Sequence, residues 1–104
     1  MDLDPARRAE ALEKARPWIE GARAQAGCLG YSWCADPHRP ERVHVFEEWE
    51  SAQALAAHLA GAQYRGMLGH ISAYGITNAV SRKFAVAHEG PVYNAAGVAS
   101  ADFD

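Results

Sequence analysis

Residues 42–67, RVHVFEEWESAQALAAHLAGAQYRGM, decide the fold of this chain. The first nine, Arg42–Glu50, alternate as a strand does: Val43, Val45, Glu47 and Trp49 share one face, and His44, Phe46, Glu48 and Glu50 the other. Neither face is purely polar, so partial burial is expected on both sides of the sheet. Ser51 then offers its side chain as a helix N-cap. Ala52, Leu55, Ala56 and Leu59 recur at helical spacing, which predicts a buried stripe with His58 on its flank. Gly61 breaks that helix, and residues 64–70 add another turn or two, ending near Gly69 or Gly75.

Working backward, CLGYSWCA at 28–35 reads as the partner strand, joined to the first by the loop DPHRPE. Alternation predicts Leu29, Tyr31 and Trp33 on one side and Cys28, Gly30, Ser32 and Cys34 on the other. Before it lies a helix with Asp4 as N-cap and Pro5 at its first position. Leu12, Ala15, Ile19, Ala22 and Ala26 mark its inner face, and Glu10 and Lys14 form a favourable pair outside. Pro17 removes the bond to the Glu13 carbonyl and predicts a kink, and Gly27 is the stop. Working forward, ITNAVSRKFAVA at 76–87 reads as the last strand. Residues 88–104 lack periodicity, but Val92, Tyr93 and Phe103 are expected to clamp this tail onto the domain. The chain thus divides into a domain over 1–88 and a packed C-terminal tail over 89–104. Helix, strand, strand, helix, strand is most of an α+β, ferredoxin-like split βαβ pattern.

Bulk properties exclude several classes. The 104 residues suit one domain, and a net charge of −3 argues against a nucleic-acid footprint and a basic membrane-binding face. No apolar run approaches the ~20 residues of a membrane span. MDLDPARR lacks the apolar stretch of a signal peptide, and the free thiols expected of Cys28 and Cys34 point to a cytoplasmic location. Cys28 and Cys34 would lie roughly 20 Å apart along a strand, too far to bridge. The histidines at 38, 44, 58, 70 and 88 form no i,i+4 pair, and there is no Cys-x-x-Cys, so no metal site is expected. Without a Gly-x-Gly-x-x-Gly or phosphate loop, no nucleotide cofactor is indicated.

The candidate site residues follow from their chemistry. His58 titrates near neutrality and suits proton transfer, although a half-buried helix histidine bonded to a carbonyl fits the same pattern. Trp33 and Trp49 can grip a flat ring or simply fill the core. Tyr31, Tyr64 and Tyr74 can bond a phenolic or quinone oxygen, with Tyr64 preferred because it follows His58 closely. Glu47, set between Val45 and Trp49, must be paired or face a pocket, since an isolated buried charge is costly. Arg42 or Arg82 could pair with it. Arg65 is expected to face solvent.

The runs GCLGYSW, VHVFEEWES and ALAAHLAGAQYRGM, in this order, resemble the antibiotic biosynthesis monooxygenase family over roughly residues 4–87. The most telling parts are the Glu47-x-Trp49-x-Ser51 junction and His58 with Tyr64 six residues on. The resemblance implies a ferredoxin-like domain that pairs as a homodimer, two sheets making an α+β barrel, with a pocket between each sheet and its helices. It also implies oxygenation of a small electron-rich aromatic, quinol or polyketide-like, with molecular oxygen as co-substrate and no cofactor. His58 and Tyr64 would then be catalytic, and Trp33, Trp49, Tyr31 and Glu47 would bind substrate. The alternative is a non-catalytic dimeric barrel holding a hydrophobic metabolite. Haem is not expected: haem-degrading relatives carry a histidine where this chain has Leu68, and His70 is two residues too far on. The family pattern opens with a strand, whereas only Met1–Leu3 precede Asp4. That first strand is expected to be truncated, with Met1–Leu3 as its end and the natural frame starting upstream. Alternatively, the tail around Val92–Val98 fills its place.

Overall fold

Pro17 divides the first helical stretch in two. In the computed structural model, which describes residues 1–103, α1 spans Arg8–Lys14 and α2 Arg16–Arg23, with Ala15 between them. The proline has no N–H for the Glu13 carbonyl. The amides of Trp18 and Ile19 both turn to the Ala15 carbonyl, at 3.0 and 3.1 Å. Asp4 does cap a turn, its carboxylate accepting from the Ala6 amide at 2.9 Å, but α1 begins only at Arg8. Glu10 and Lys14 pair at 3.3 Å on the outside, as their spacing predicts. The buried face is Ala11, Ala15 and Ala22, while Leu12 and Ile19 are half-buried and Ala26 is exposed. Small side chains along that face let both helices lie close to the strands.

The strands β1 (Cys28–Ala35) and β2 (Val43–Trp49) run antiparallel. Tyr31 stands opposite Glu47, Trp33 opposite Val45 and Ala35 opposite Val43. A bulge between Cys28 and Gly30 turns Leu29 out to solvent, so it does not share the face of Tyr31 and Trp33. Asp36 locks the hairpin loop. Its carboxylate accepts from His44 Nε2 at 2.7 Å and from the His38 amide at 2.8 Å. The bond from His44 is the main reason its carboxyl is lowered to about 2.

Met1–Leu3 extends this hairpin into a wider sheet. Asp2 bridges Arg42 on one side and Asn78 on the other, both antiparallel. The order across the sheet is therefore 76–78, 1–3, β2, β1, the ferredoxin-like arrangement. Met1–Leu3 takes the central place, and the tail around Val92–Val98 does not. That tail folds on itself through a Tyr93–Ala99 bridge, and Val92, Tyr93 and Phe103 are all exposed, so they do not clamp it to the domain. The expected last strand is paired only as far as Asn78 among the described residues. Beyond it Val80, Phe84 and Val86 stand exposed, with no strand beside them among the described residues.

Ser51 caps α3 (Ala52–Leu59), accepting from the Ala54 amide at 3.1 Å. Gly61 begins α4 (Ala62–Ser72), which ends ahead of Gly75 at φ +74°. The stripe expected on α3 is rotated. His58 is its buried residue and Ala54 and Leu55 are half-buried, while Ala52, Ala56 and Leu59 face solvent. Two core clusters hold the helices to one side of the sheet. Leu3, Ala11, Val43, Ile71 and Tyr74 form the first, and Ala15, Ala22, Tyr31 and Met67 the second.

Helix α4 meets α2 through glycine. A Cβ on Gly66 would lie 1.9 Å from the Trp18 Nε1, whereas one on Gly69 would meet nothing within 4 Å. Trp18 has little room to yield, because it stacks on His70 at 5.0 Å and His70 Nε2 donates to the Ala11 carbonyl at 2.8 Å. Gly66→Ala should therefore lower stability by about 1–3 kcal/mol through overpacking. Gly69→Ala should raise it by up to about 1 kcal/mol through helix propensity. Urea unfolding of both variants checks this, and equal midpoints would show that Trp18 does not constrain the helix pair.

Candidate functional site

A ring of aromatic side chains closes around His58. Its imidazole is 2% exposed. Trp49, at the end of β2, lies 4.6 Å away between centroids and tilted 30°. Tyr31 from β1 and Tyr64 from α4 present their edges at 5.7 and 5.9 Å. Local structure accounts for this convergence. The Ser51 cap fixes the turn from β2 into α3, so Trp49 and His58 face each other across one short junction. Gly61 lets α4 double back and bring Tyr64 alongside.

The polar contacts of the imidazole come from two sides. Nδ1 lies 2.6 Å from the Gln25 Oε1, just past the end of α2. Nε2 points toward the Glu47 carboxylate at 3.7 Å, which is beyond a good hydrogen bond. The Trp49 indole donates to that same Glu47 oxygen at 3.0 Å. Glu47 reaches solvent, its side chain 31% exposed. It pairs with neither of the arginines proposed for it, since Arg42 binds Asp2 and Arg82 lies over the Phe84 ring. Burial lowers the His58 pKa below its ordinary 6.5, and the Glu47 charge offsets this in part. Burial raises the Tyr31 phenol; the Trp33 indole beside it works the other way, and the Glu47 charge adds to the rise.

Five of the six candidate residues thus meet in one cluster: His58, Tyr64, Trp49, Tyr31 and Glu47. Trp33 stands apart. Its indole N–H is buried without a well-formed hydrogen bond, and it lines a cavity of about 220 Å³ against α1 and α2 with Leu12, Arg16, Ile19 and Arg23. A second cavity, about 350 Å³, lies along Met1, Val43, Val45 and Val80. His58 lines neither cavity. Tyr74 belongs to the core with Ile71, and Arg65 bonds the Ala60 carbonyl at 2.6 Å. Gln25 escaped the sequence reading, because only the fold brings it to a residue 33 positions away. His70 is engaged by Trp18 and the Ala11 carbonyl, and Leu68 is exposed. Among the described residues no group of three His, Cys, Asp or Glu side chains gathers as a metal site would need. None of the described helices is long and apolar enough to cross a membrane.

The family model described as antibiotic biosynthesis monooxygenase matches residues 1–68. No curated protein matches the chain. Among solved structures, a conserved protein of unknown function from Bacteroides thetaiotaomicron VPI-5482, described as a possible oxidoreductase, is similar at 25% identity and a TM-score of 0.64. The likeness covers 70% of this chain and 78% of that one. A conserved protein from Methanosarcina mazei Go1 shares the fold at 20% identity and a TM-score of 0.64, over 70% of this chain and 72% of that one.

The buried imidazole ties stability to pH. The unfolded chain takes up a proton below about pH 6.5 that the folded chain, with its lowered His58 pKa, takes up only at lower pH. The stabilisation from burying neutral His58 is therefore complete above that value and declines as pH falls toward the folded pKa. Urea midpoints of the wild type should drop between about pH 7.5 and about pH 5.5, and drop more than those of His58→Phe. Identical slopes for the two proteins would contradict the assignment.

Proposed function

The chain belongs to the antibiotic biosynthesis monooxygenase family, and we propose on that footing that it oxygenates a small electron-rich aromatic, quinol or polyketide-like, without metal or organic cofactor. The carrying observation is the Glu47 carboxylate, which reaches solvent at one end and meets both the Trp49 indole and the His58 Nε2 at the other. In this reading a phenolic or enolic hydroxyl docks at Glu47 against the Trp49 ring, and its proton passes toward His58 Nε2. A neutral imidazole is the form that can accept it. Tyr31, whose phenol is held protonated by burial, and Tyr64 donate to the resulting anion.

The anion then gives one electron to molecular oxygen, and the carbon radical and superoxide combine as a peroxide. For an anthrone-type CH₂ carbon, loss of the second C–H proton breaks the O–O bond and expels water. The balance is CH₂ plus O₂ giving C=O plus H₂O, with all four electrons supplied by the substrate carbon. The protein's part is deprotonation, orientation and exclusion of water. We place the working unit as a homodimer, because the outer sheet face exposes Phe46 and the adjoining chain exposes Val80, Phe84 and Val86. The unpaired Cys28 and Cys34 suit the reducing cytoplasm.

One observation favours the second reading, a non-catalytic module that holds a hydrophobic metabolite. The rings pack tightly round His58, and a cavity lies elsewhere, with Leu12, Ile19 and Trp33 on its wall beside the charged Glu13, Arg16, Glu20 and Arg23. Oxygen consumption by metal-stripped protein decides between the two. With hydroquinones, anthrones and other acidic phenols, uptake should exceed autoxidation and fall about a hundredfold or more in His58→Gln. Uptake that is absent would favour the binding module, and uptake unchanged in a folded His58→Gln would overturn the role of His58 as the base.

A further inference from the structure

The contact between Gln25 and His58 has a direction. Gln25 Oε1 lies 2.6 Å from His58 Nδ1. An amide oxygen only accepts, so the imidazole must carry its proton on Nδ1. The Gln25 Nε2 lies near Gly61 on the other side of the amide. Flipping the amide would leave its N–H₂ facing Nδ1, which would then have to accept. In the orientation in place, the amide oxygen is the acceptor set against Nδ1.

We propose that Gln25 is a positioning residue: it fixes the Nδ1–H tautomer of His58 and so leaves Nε2 as the free base facing Glu47. This deepens the reading of His58 as the proton acceptor and rests on it. Without Gln25, the opposite tautomer would win. Glu47 is an anion 3.7 Å from Nε2, and it would draw the imidazole proton to that nitrogen and block the base. Gln25 thus counters the one charged group that, among the described residues, faces the ring. The other titratable side chains packed on His58 are Tyr31 from β1 and Tyr64 from α4, and both present ring edges.

The tautomer can be read without any substrate. In long-range nitrogen–proton NMR spectra near pH 7.5, wild-type His58 should show a protonated Nδ1 and a bare Nε2. In Gln25→Leu the proton should move to Nε2, with kcat for oxygen uptake falling and KM little changed. In Gln25→Glu the acceptor is retained as an anion, Nδ1 stays protonated, and the His58 midpoint should rise by about one unit or more. A protonated Nε2 in the wild type, or an Nδ1–H that persists in Gln25→Leu, overturns the proposal. Should Gln25→Leu fail to fold, the wild-type spectrum and the Gln25→Glu midpoint still decide. The expected tautomers without oxygen uptake by the wild type would uphold the role of Gln25 and overturn the oxygenase reading instead.

Discussion

Three residues at the start of the chain hold its two halves together. The Met1 amino group donates to the Val43 carbonyl at 2.8 Å, and the Val43 amide returns to Met1 at 2.8 Å. On the opposite edge the Asp2 amide donates to Asn78 at 2.7 Å, and Thr77 donates back at 2.9 Å. The Arg42 guanidinium pairs with the Asp2 carboxylate across the first of these edges. Leu3 is fully buried and packs with Ala11 of α1, Val43 of β2 and Ile71 of α4. One short segment therefore fixes the distance between the hairpin and the last helix. The cluster around His58 draws on β1, β2, α3 and α4, so its shape depends on that distance.

The elements legible in the sequence are those decided by a neighbour or two. Ser51 caps α3 because an oxygen three residues before an amide reaches it without help from the rest of the fold. Pro17 breaks the first helix for an equally local reason. The Glu47-x-Trp49 alternation survives because a strand turns its side chains out by sterics alone. These local features carried the family resemblance, and the matched family model spans the residues that hold them. The fold then brings five of the six candidate residues into one cluster, though their roles rest on chemistry rather than on position.

What the sequence hides is decided at long range. Helix α3 is nearly all alanine and leucine, so its apolar pattern fits more than one inner face. The choice fell to the position of Trp49 and Tyr31, which turned His58 to the centre and Leu59 outward. The Leu29 bulge resolves a mismatch of register between two strands, and neither strand shows it alone. Residues 79–87 alternate as a strand should, yet alternation supplies side-chain placement and not a hydrogen-bonding neighbour. Val92 and Tyr93 are apolar enough to pack, but the tail's own turn at Asn94 bonds its amides internally and holds it apart from the core.

The burial of His58 is itself an argument about what the cluster does. A phenylalanine would fill a box of three aromatic rings without any polar group to satisfy. The imidazole brings two nitrogens into a site whose desolvation disfavours its charged form. Gln25 meets one of them closely, while the other faces a carboxylate at 3.7 Å, too far for a good hydrogen bond. Packing alone leaves that second nitrogen without a close hydrogen-bond partner. The base proposed for this site would need it: neutral before the reaction, unprotonated on the side where substrate would arrive, and beside an anion that would stabilise the imidazolium once the proton had moved.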